Sequence, residues 1–505
     1  MLQKHRLLTC GIGACAAAAL SLLAPSRASA STTVDADTFT NAYNSAFSAT
    51  SGSNFYYKNN SGGGVPGAES WTLAEEIEML EDAYDRSNSS TYKSQISQLI
   101  NYYIGANSST WTGTSFNDDI LWMVIAAARG AQITGNSSYK SAAKANFDAV
   151  YTRAYDTNLG GGLWWTTGKT SKNACDNGPA IIAACYLYTL YNDSSYLTKA
   201  QSIYSWERST LFNSSTGNVR DHINADGTLD YTGLTYNTGT FIGAANYLYQ
   251  ITGTASYLSD AQLAASYTQT NMCDASGIFP QYSTTGDLSG FNGIFLRWLG
   301  KFAKQNALWS TYYPWISANA SAALSVKRSD NLCWNQWETA TASGTLSSWA
   351  CSDVVTLLNI IPSQFEAENL TVQQYTGPDY RVFTDSGFSG GSGVILDSTA
   401  VGNSITFVVP NVSARTYDVQ VAVKKLNTRG TFQLAIGQAG STSPANVGSP
   451  QDLYSASSEY DVLDLGAWTP ATNSDKWFRF TVTGKNGSST GYSIAIDYIL
   501  LLPQG

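Results

Sequence analysis

The sequence predicts a multidomain protein in which an all-α (α/α)6 barrel is followed by an all-β antiparallel β-sandwich. Residues 31 to about 360 have helical periodicity almost throughout, and exposed-type helices alternate with helices that are apolar nearly all round. From Phe365 onward, apolar residues recur at every second position, as they do in strands. This change of period predicts two domains, at 31–361 and 365–505.

Twelve helices are predicted in the first domain, and they are of two kinds. Helices such as 139–154 mix charged and apolar residues, as half-exposed helices do, whereas residues 120–128 and 179–191 are apolar almost throughout. Segments such as Asn136-Ser-Ser-Tyr139 precede surface-type helices at intervals of about 50 residues. Six such pairs predict six inner helices ringed by six outer ones. The predicted helices lie at 35–49, 69–86, 90–106, 117–135, 137–154, 178–192, 194–212, 236–252, 255–270, 289–304, 306–325 and 347–359.

The second domain is predicted from short alternating segments separated by turn residues. Such segments, spread over about 140 residues, are typical of an antiparallel sandwich. The clearest of them lie at 404–410, 416–423, 431–436, 477–482 and 492–499.

The first 30 residues are predicted to be a secretory signal peptide rather than part of the fold. A basic start at 4–6 is followed by a mostly apolar stretch at 7–23 and by the small-residue pattern Ala28-Ser29-Ala30. A membrane anchor is the alternative, but the apolar stretch is short and runs straight into the cleavage pattern. We therefore expect a secreted, extracellular protein that is not held in a membrane.

Charge and composition exclude several classes of partner. Charged residues make up 13% of the chain and the net charge is −9, so neither nucleic acid nor an anionic membrane is an expected partner. The chain has 31 Tyr and 14 Trp beside many hydroxyl and amide side chains. A neutral sugar needs such groups, because its C–H faces stack on rings while its hydroxyls take hydrogen bonds.

Cysteine and histidine usage limits the chemistry further. Five cysteines remain once the predicted signal peptide is removed, so at least one free thiol is expected. We expect Cys333 and Cys351 to form a disulfide that closes a Trp-rich loop. A zinc cluster is not expected, because His222 is the single His of the mature chain, and no catalytic cofactor is predicted.

Two consecutive carboxyl groups, Asp118 and Asp119, stand at the start of a deeply buried predicted helix. If the inner helices run parallel, their N-termini open at one end of the barrel and form a common rim. Neighbouring Cα atoms lie about 3.8 Å apart, so diverging side chains can set the carboxyls near the ~5–5.5 Å of a retaining glycosidase. Two close carboxylates also resist ionising together, which leaves one as an acid. The alternative is that both simply complement a helix dipole.

Other residues predicted at the rim have two interpretations each. Trp164 and Trp165 follow three glycines and are either a stacking platform or loop anchors. Asn177 and Asn237 either bind sugar hydroxyls or cap their helices. Asp221 either lines a groove or forms a surface pair with His222.

Five motifs, in order along residues 35–360, carry a family resemblance. They are Phe116-Asn-Asp-Asp-Ile-Leu-Trp-Met123, Gly160-Gly-Gly-Leu-Trp-Trp165, Lys172-Asn173 with Asn177-Gly178-Pro179, Thr235-Tyr236-Asn237-Thr-Gly239, and Phe291-Asn-Gly-Ile-Phe-Leu-Arg297. Together they resemble glycoside hydrolase family 76, whose members are (α/α)6-barrel endo-α-1,6-mannanases that act with retention.

The resemblance implies a function and a set of site residues. The protein would cleave internal α-1,6-mannosidic linkages in mannan by double displacement, with Asp118 as nucleophile and Asp119 as general acid/base. The substrate would be α-1,6-linked mannan or its oligosaccharides. The expected substrate-binding residues are Trp164, Trp165, Asn177, Asp221, Tyr236, Asn237, Phe291 and Arg297.

The tail has a resemblance of its own. The opening Phe365-Glu-Ala-Glu-Asn369, the middle Gly387-Phe-Ser-Gly-Gly391 and the closing Ile496-Asp497-Tyr-Ile499 are similar to carbohydrate-binding modules of families 6 and 35. In such modules two Glu and a final Asp surround a structural calcium, which implies Glu366, Glu368 and Asp497 here, and oxygen ligands suit Ca²⁺. The alternative is that Glu366 and Glu368 are outward residues of an edge strand.

Two other functions remain open at this point. A cell-wall mannan transglycosylase would use the same residues but transfer the glycan instead of releasing it. A non-catalytic mannan-binding protein belongs to a different class, and the intact pair of aspartates argues against it. We expect the protein to be a monomer.

Overall fold

The computed structural model describes residues 33–51, 54–63 and 70–504, so the predicted signal peptide lies outside the described residues. Within this part of the chain, each of the twelve predicted helices corresponds to an observed one. The helices are α1 Thr33–Phe47, α2 Ser70–Ser87, α3 Ser90–Asn107, α4 Asn117–Thr134, α5 Ser137–Ala154, α6 Ala174–Tyr191, α7 Ser194–Thr210, α8 Thr235–Thr252, α9 Ala255–Tyr267, α10 Phe291–Gln305, α11 Trp309–Val326 and α12 Ser348–Ile360.

The even-numbered helices form a closed inner ring. Each of α2, α4, α6, α8 and α10 packs on the next even-numbered helix, and α12 packs back on α2. The odd-numbered helices pack outside this ring, α1 against α12 and α3 against α2. The molecule therefore has an α/α barrel of six inner and six outer helices.

Sequence character explains which helices are inner. In α4, the residues from Ile120 to Ala131 are all buried, whereas α5 keeps polar residues on an exposed face. Small residues let the inner helices approach each other closely. A Cβ atom on Gly239 of α8 would lie 2.5 Å from the Cα atom of Phe295 in α10, so a larger residue there would push the two helices apart.

Helix α6 begins four residues earlier than predicted. Asn173 precedes the helix and forms a capping box with Asp176, whose Oδ1 accepts the Asn173 backbone N–H at 3.1 Å. The two side chains satisfy backbone donors at the helix start, so the helix already begins at Ala174.

Sixteen strands accompany the helices in the described part, and most follow the barrel. They are β1 Ser48–Ser51, β2 Asn54–Tyr57, β3 Ser171–Asn173, β4 Arg220–Asn224, β5 Leu229–Gly233, β6 Ser363–Glu366, β7 Thr371–Thr376, β8 Asp379–Thr384, β9 Ser392–Asp397, β10 Ser404–Val412, β11 Tyr417–Lys425, β12 Thr431–Gln438, β13 Ala445–Asp452, β14 Glu459–Trp468, β15 Ser474–Gly484 and β16 Ile494–Pro503.

Two antiparallel sheets build the C-terminal part. One has the order β13-β12-β15-β10-β7, and the other has the order β14-β11-β16-β9-β8 with β6 paired to β16. Their inward side chains share one core, to which Phe407 and Phe480 contribute from the first sheet and Val421 and Ile499 from the second. The predicted change from a helical to a β-rich part is confirmed.

The two parts touch through β6, β16 and the turn before β11. Leu500 and Leu502 of β16 join the buried core of the barrel. Tyr313 of α11 donates to Gln364 Oε1 at 2.7 Å, and Ser413 Oγ donates to the Arg86 carbonyl at 3.1 Å. The barrel and the sheets therefore share a packed interface.

The expected disulfide between Cys333 and Cys351 is wrong. The five cysteines of the described part, Cys175, Cys185, Cys273, Cys333 and Cys351, are all free thiols. Cys333 Sγ lies 3.4 Å from the Ala323 carbonyl and donates to it, and burial raises the pKa of the Cys351 thiol inside α12. The Trp-rich loop is held instead by indole hydrogen bonds, such as that from Trp337 Nε1 to the Trp334 carbonyl at 3.0 Å. In the same described part, we find no helix with both the length and the apolar character needed to span a bilayer.

Candidate active site

The first turns of the inner helices meet at one end of the barrel. The ring of Trp71 in α2 lies 5.0 Å from Trp349 in α12 and 6.5 Å from Phe291 in α10, centroid to centroid. Phe291 in turn stacks on Tyr236 of α8 at 3.8 Å. The first two residues of these helices therefore bring one set of side chains around a central space, which Cys175 and Asp118 join through their contacts with Tyr236. The set is Trp71, Asp118, Cys175, Tyr236, Phe291 and Trp349.

Asp118 and Asp119 lie side by side in the first turn of α4, and Asp118 contacts Trp165 and Cys175 at this space. Burial, and then the charge of Asp119, raise the pKa of Asp118 to about 7, although nearby Trp165 and Cys175 act in the opposite direction. Asp118 Oδ1 is buried and takes no hydrogen bond within the described residues. Asp119 Oδ2 accepts a hydrogen bond from Thr114 Oγ1 at 3.3 Å. A carboxyl that merely complemented a helix dipole would have a lowered pKa, so the dipole does not explain Asp118.

The loop at Gly160-Gly-Gly-Leu-Trp-Trp165 is held next to the two aspartates by hydrogen bonds from Asn117 and Asn177. Asn117 donates from its side chain to the Trp164 carbonyl at 2.6 Å and from its backbone to the Trp165 carbonyl at 2.8 Å. Asn177 holds Leu163 on both sides, accepting its N–H at 2.8 Å and donating to its carbonyl at 3.2 Å. Because Asn177 is fully buried in these bonds, its expected contact with sugar hydroxyls is wrong, and it does not cap α6 either.

The two tryptophans of this loop have different environments. Trp164 is 4% exposed, its Nε1 donates to Asp156 Oδ2 at 2.7 Å, and Lys172 Nζ lies 4.8 Å from its ring centroid. Trp164 is therefore a loop anchor, and its predicted role as a stacking surface is wrong. Trp165 is partly exposed and packs against Phe116, which is 40% exposed, with ring centroids 5.2 Å apart. Trp165 and Phe116 therefore offer an aromatic face beside Asp118.

Asp221 reaches the central space from strand β4. Its Oδ1 accepts a hydrogen bond from Asn237 Nδ2 at 2.9 Å, and its Oδ2 lies 2.7 Å from His222 Nδ1. Asp221 also acts electrostatically on Tyr236 and Cys175, which places it close to both. Asn237 is fully buried, so its role is to orient Asp221 through this hydrogen bond. Asp221 and Tyr236 are partly exposed at the site.

Arg297 does not lie at the rim, and its predicted contact with substrate is wrong. It is 1% exposed, its Nε donates to Asp82 Oδ2 at 2.6 Å, and its guanidinium also pairs with Glu75. Arg129 of α4 joins the same network through Glu78 and Asp82, both at 2.8 Å. Arg297 therefore neutralises buried carboxylates between α2 and α10.

The sequence analysis missed three residues of this site. Trp71, Cys175 and Trp349 did not stand out in any motif, yet each occupies the second position of an inner helix, as Asp118 does. The thiol of Cys175 contacts Asp118 on one side and Tyr236 on the other. The predicted helices began at 69, 178 and 347, so none of the three fell at a second position until the observed helix starts were known.

The metal candidates of the C-terminal part come near each other around Ser389. The backbone N–H of Ser389 donates to both carboxylate oxygens of Asp497 at 3.0 Å, and its hydroxyl donates to Glu366 Oε1 at 2.8 Å. Glu368 Oε2 is buried with no hydrogen bond within the described residues. Burial, and then Glu366, raise the pKa of Glu368 to about 7. In the described part of the chain, no three His, Cys, Asp or Glu side chains converge as a complete metal-ligand group.

A barrel that presents two adjacent carboxyls among aromatic side chains suits a glycoside hydrolase. Comparison with known sequences agrees, since the family model described as "Glycosyl hydrolase family 76" matches residues 38–372. The chain belongs to this family.

Solved structures and curated relatives support the same assignment. The α-1,6-mannanase of Salegentibacter sp. HEL1_6 is 27% identical with a TM-score of 0.60, over 65% of this chain and 98% of that one. An inactive variant of that mannanase, with two consecutive aspartates changed to asparagine, is in complex with α-1,6-mannotriose; it is 26% identical with a TM-score of 0.60 and the same coverage. Mannan endo-1,6-alpha-mannosidase DCW1 of Saccharomyces cerevisiae is 26% identical over 250 residues, which are 44% of this chain and 54% of that protein. The chain spans about half the length of the curated relatives it matches.

Proposed function

We propose that this protein is a secreted endo-α-1,6-mannanase that hydrolyses mannan with retention of configuration. The observation that carries the proposal is the pair Asp118 and Asp119 at the start of an inner helix of a family 76 barrel, with Asp118 beside Trp165 and Tyr236. The similar mannanase of Salegentibacter is inactive when two consecutive aspartates are replaced, and it was captured with an α-1,6-mannoside. Secretion is supported by the signal-like pattern of the first 30 residues.

The two carboxyls divide the reaction between them. Asp118 attacks the anomeric carbon while Asp119 gives its proton to the departing glycosidic oxygen, which leaves a mannosyl ester on Asp118. Asp119 then takes a proton from water, and the water oxygen attacks the anomeric carbon and releases Asp118 as a carboxylate. Each step inverts the anomeric centre, so the two together retain it.

Aromatic side chains on both sides of the pair provide the binding surface. Phe116 and Trp165 lie on one side, and the partly exposed ring of Tyr236, which stacks on the buried Phe291, lies across the central space. Rings of this kind bind the C–H faces of mannose units, while the polar edge formed by Asp221 is available for hydroxyls. A chain that crosses the open end of the barrel would be cut internally.

Product analysis on linear α-1,6-mannan tests this function. We expect the mature protein to release a mixture of oligosaccharides early in the digestion, whereas β-1,4-mannan should be left intact. Release of mannose alone from the start would contradict internal cleavage. Formation of products longer than the starting oligosaccharides, without net release of reducing ends, would indicate transfer instead of hydrolysis.

The pH dependence of the first step follows from the pKa of Asp118. Asp118 must be ionised to attack, and its pKa is raised to about 7, so kcat/KM should rise as pH increases through about 7. An aryl α-1,6-mannobioside is the substrate that isolates this pH dependence, because its leaving group does not need protonation. An activity that instead falls as pH increases through 7 would assign the acid role to Asp118 and the nucleophile to Asp119.

We further propose that the C-terminal sheets form a carbohydrate-binding module with a structural Ca²⁺ held by Glu366, Glu368 and Asp497. The buried, unbonded Oε2 of Glu368 supports the proposal, since a bound cation would satisfy it and would supply positive charge between the carboxylates. Ser389 already orients Glu366 and Asp497 through its hydroxyl and its N–H.

Calcium should therefore raise the melting temperature of the full chain, and more strongly above pH 7 than below it. The sign follows because the raised pKa of Glu368 leaves this carboxyl protonated at lower pH, where a proton competes with the metal. Calorimetric titration with Ca²⁺ should show one site in the wild type and a large loss of affinity in Glu368→Gln. Equal Ca²⁺ binding by Glu368→Gln and by the wild type would rule out this ligand set.

A further inference from the structure

A cavity of about 230 Å³ lies where the barrel meets the C-terminal sheets, on the side opposite the aspartate pair. Its walls come from the C-terminal ends of α2 and α10 and from the segment that joins β10 to β11. Four cationic and two acidic side chains line it, an excess of two positive charges. They are Arg86, Lys301, Lys304 and Arg415, with Asp82 and Asp85.

The two carboxylates of the cavity are already committed to other cations. Asp82 accepts hydrogen bonds from Arg297 at 2.6 Å and from Arg129 at 2.8 Å, and both of these arginines are buried in the barrel. Asp85 pairs with Lys301 at 3.0 Å and with Arg129 at 3.2 Å. These carboxylates therefore leave little negative charge for the remaining cations.

Two cations of the cavity have no carboxylate of their own. Arg86 pairs with Asp37, but Arg415 donates to the backbone carbonyls of Asp85 and Arg86 at the end of α2. A helix C-terminus supplies only about half a negative charge. Lys304 forms no ion pair within the described residues. Burial, then Arg415 and Lys301, lower the pKa of Lys304 to about 8, with Asp85 acting weakly in the opposite direction.

We propose that this cavity binds a small oxyanion, such as a phosphate or sulfate group, between Lys304 of the barrel and Arg415 of the C-terminal part. Two cations that converge in a partly buried space without a carboxylate partner are compensated most directly by a bound anion, which gains charge-assisted hydrogen bonds from both. The amide side chain of Asn411 adds a polar group to the same wall. The anion would tie the two parts of the chain together.

Lys304→Met is the informative variant, because Lys304 makes no ion pair that its removal would break. Lys93→Met on α3, outside the cavity lining, is the matched control. We expect calorimetric titration of the full chain with inorganic phosphate at pH 8 to show one saturable site in the wild type and in Lys93→Met. Affinity in Lys304→Met should fall by at least about tenfold, the effect of losing one charge-assisted contact.

A proton readout separates this site from a general salt effect. Sulfate does not titrate near pH 8, so its binding there should draw protons onto Lys304, and buffers of different ionisation enthalpy will show that uptake in the wild type. The melting temperature should be higher in sulfate than in chloride of equal ionic strength. This difference in melting temperature should be smaller in Lys304→Met than in the wild type or in Lys93→Met.

A hexose phosphate, titrated in parallel, identifies the source of the anion. Tighter Lys304-dependent binding of the hexose phosphate would assign the cavity to phosphorylated sugars, and tighter binding of inorganic phosphate would assign it to free anions. The proposal is overturned if the wild type shows no saturable binding, or if Lys304→Met binds phosphate as the wild type does. Neither result depends on cleavage of mannan.

Discussion

Replacing Asp118 or Asp119 by Asn should lower kcat/KM on α-1,6-mannan by about 10⁴-fold or more, because each variant lacks one of two groups that act together. With an aryl α-1,6-mannobioside the two variants should differ. Asp119→Asn should still release a burst of phenol, since a good leaving group does not need the acid, whereas Asp118→Asn should show no burst. Initial rates and burst amplitudes check both expectations.

The folded state of these variants provides the control. The raised pKa of Asp118 means that its ionised form costs stability at neutral pH, so Asp118→Asn should unfold at a temperature no lower than the wild type at pH 8. Loss of activity with normal unfolding therefore reports chemistry. If either variant retained more than a tenth of the wild-type rate on mannan, the paired-carboxylate assignment would fail.

Arg297→Met should lower the free energy of unfolding by about 3–5 kcal/mol, because it leaves Glu75 and Asp82 buried without their shared cation. Part of the cost will be relieved by protonation of Glu75, whose pKa is already raised to about 8, first by burial. The loss should therefore be larger at pH 9 than at pH 6. Denaturant unfolding at the two pH values measures it.

Arg381→Met is the matched control for this change. Arg381 also contacts a carboxylate, Asp397, at 2.9 Å, but the pair is exposed, and its loss should cost about 1 kcal/mol or less. A role of Arg297 in substrate binding makes the opposite prediction, in which KM rises and stability is unchanged. That outcome would contradict the position assigned to Arg297.

Periodicity was sufficient to predict the barrel because inner helices such as α4 and α6 are apolar nearly all round. Helix α4 was predicted at 117–135 and is observed at Asn117–Thr134. Its apolar run and the glycine after it, Gly135, can both be read from the sequence, and Gly135 takes the left-handed conformation that ends the helix. The β-rich part was predicted for the same reason, as its strands alternate buried and exposed residues. Local patterns of this kind report burial directly.

Contacts between distant segments could not be predicted in this way. Asn177 was placed at the rim because the predicted start of α6 was too late, and the capping box of Asn173 with Asp176 was not identified. Cys175 carries no periodic signal, and its place between Asp118 and Tyr236 depends on how three helices meet. The buried partners of Arg297 lie more than 200 residues away in the chain. The pairing of Cys333 with Cys351 was inferred without knowledge of the fold, and both prove to be free.

Proton NMR of a mannan digestion in progress tests the central claim most directly. The paired-aspartate, double-displacement account predicts that new reducing ends appear first as the α anomer and then mutarotate towards equilibrium. A first product in the β configuration would show a single inverting displacement. The absence of new reducing ends would contradict hydrolysis of α-1,6-mannan altogether.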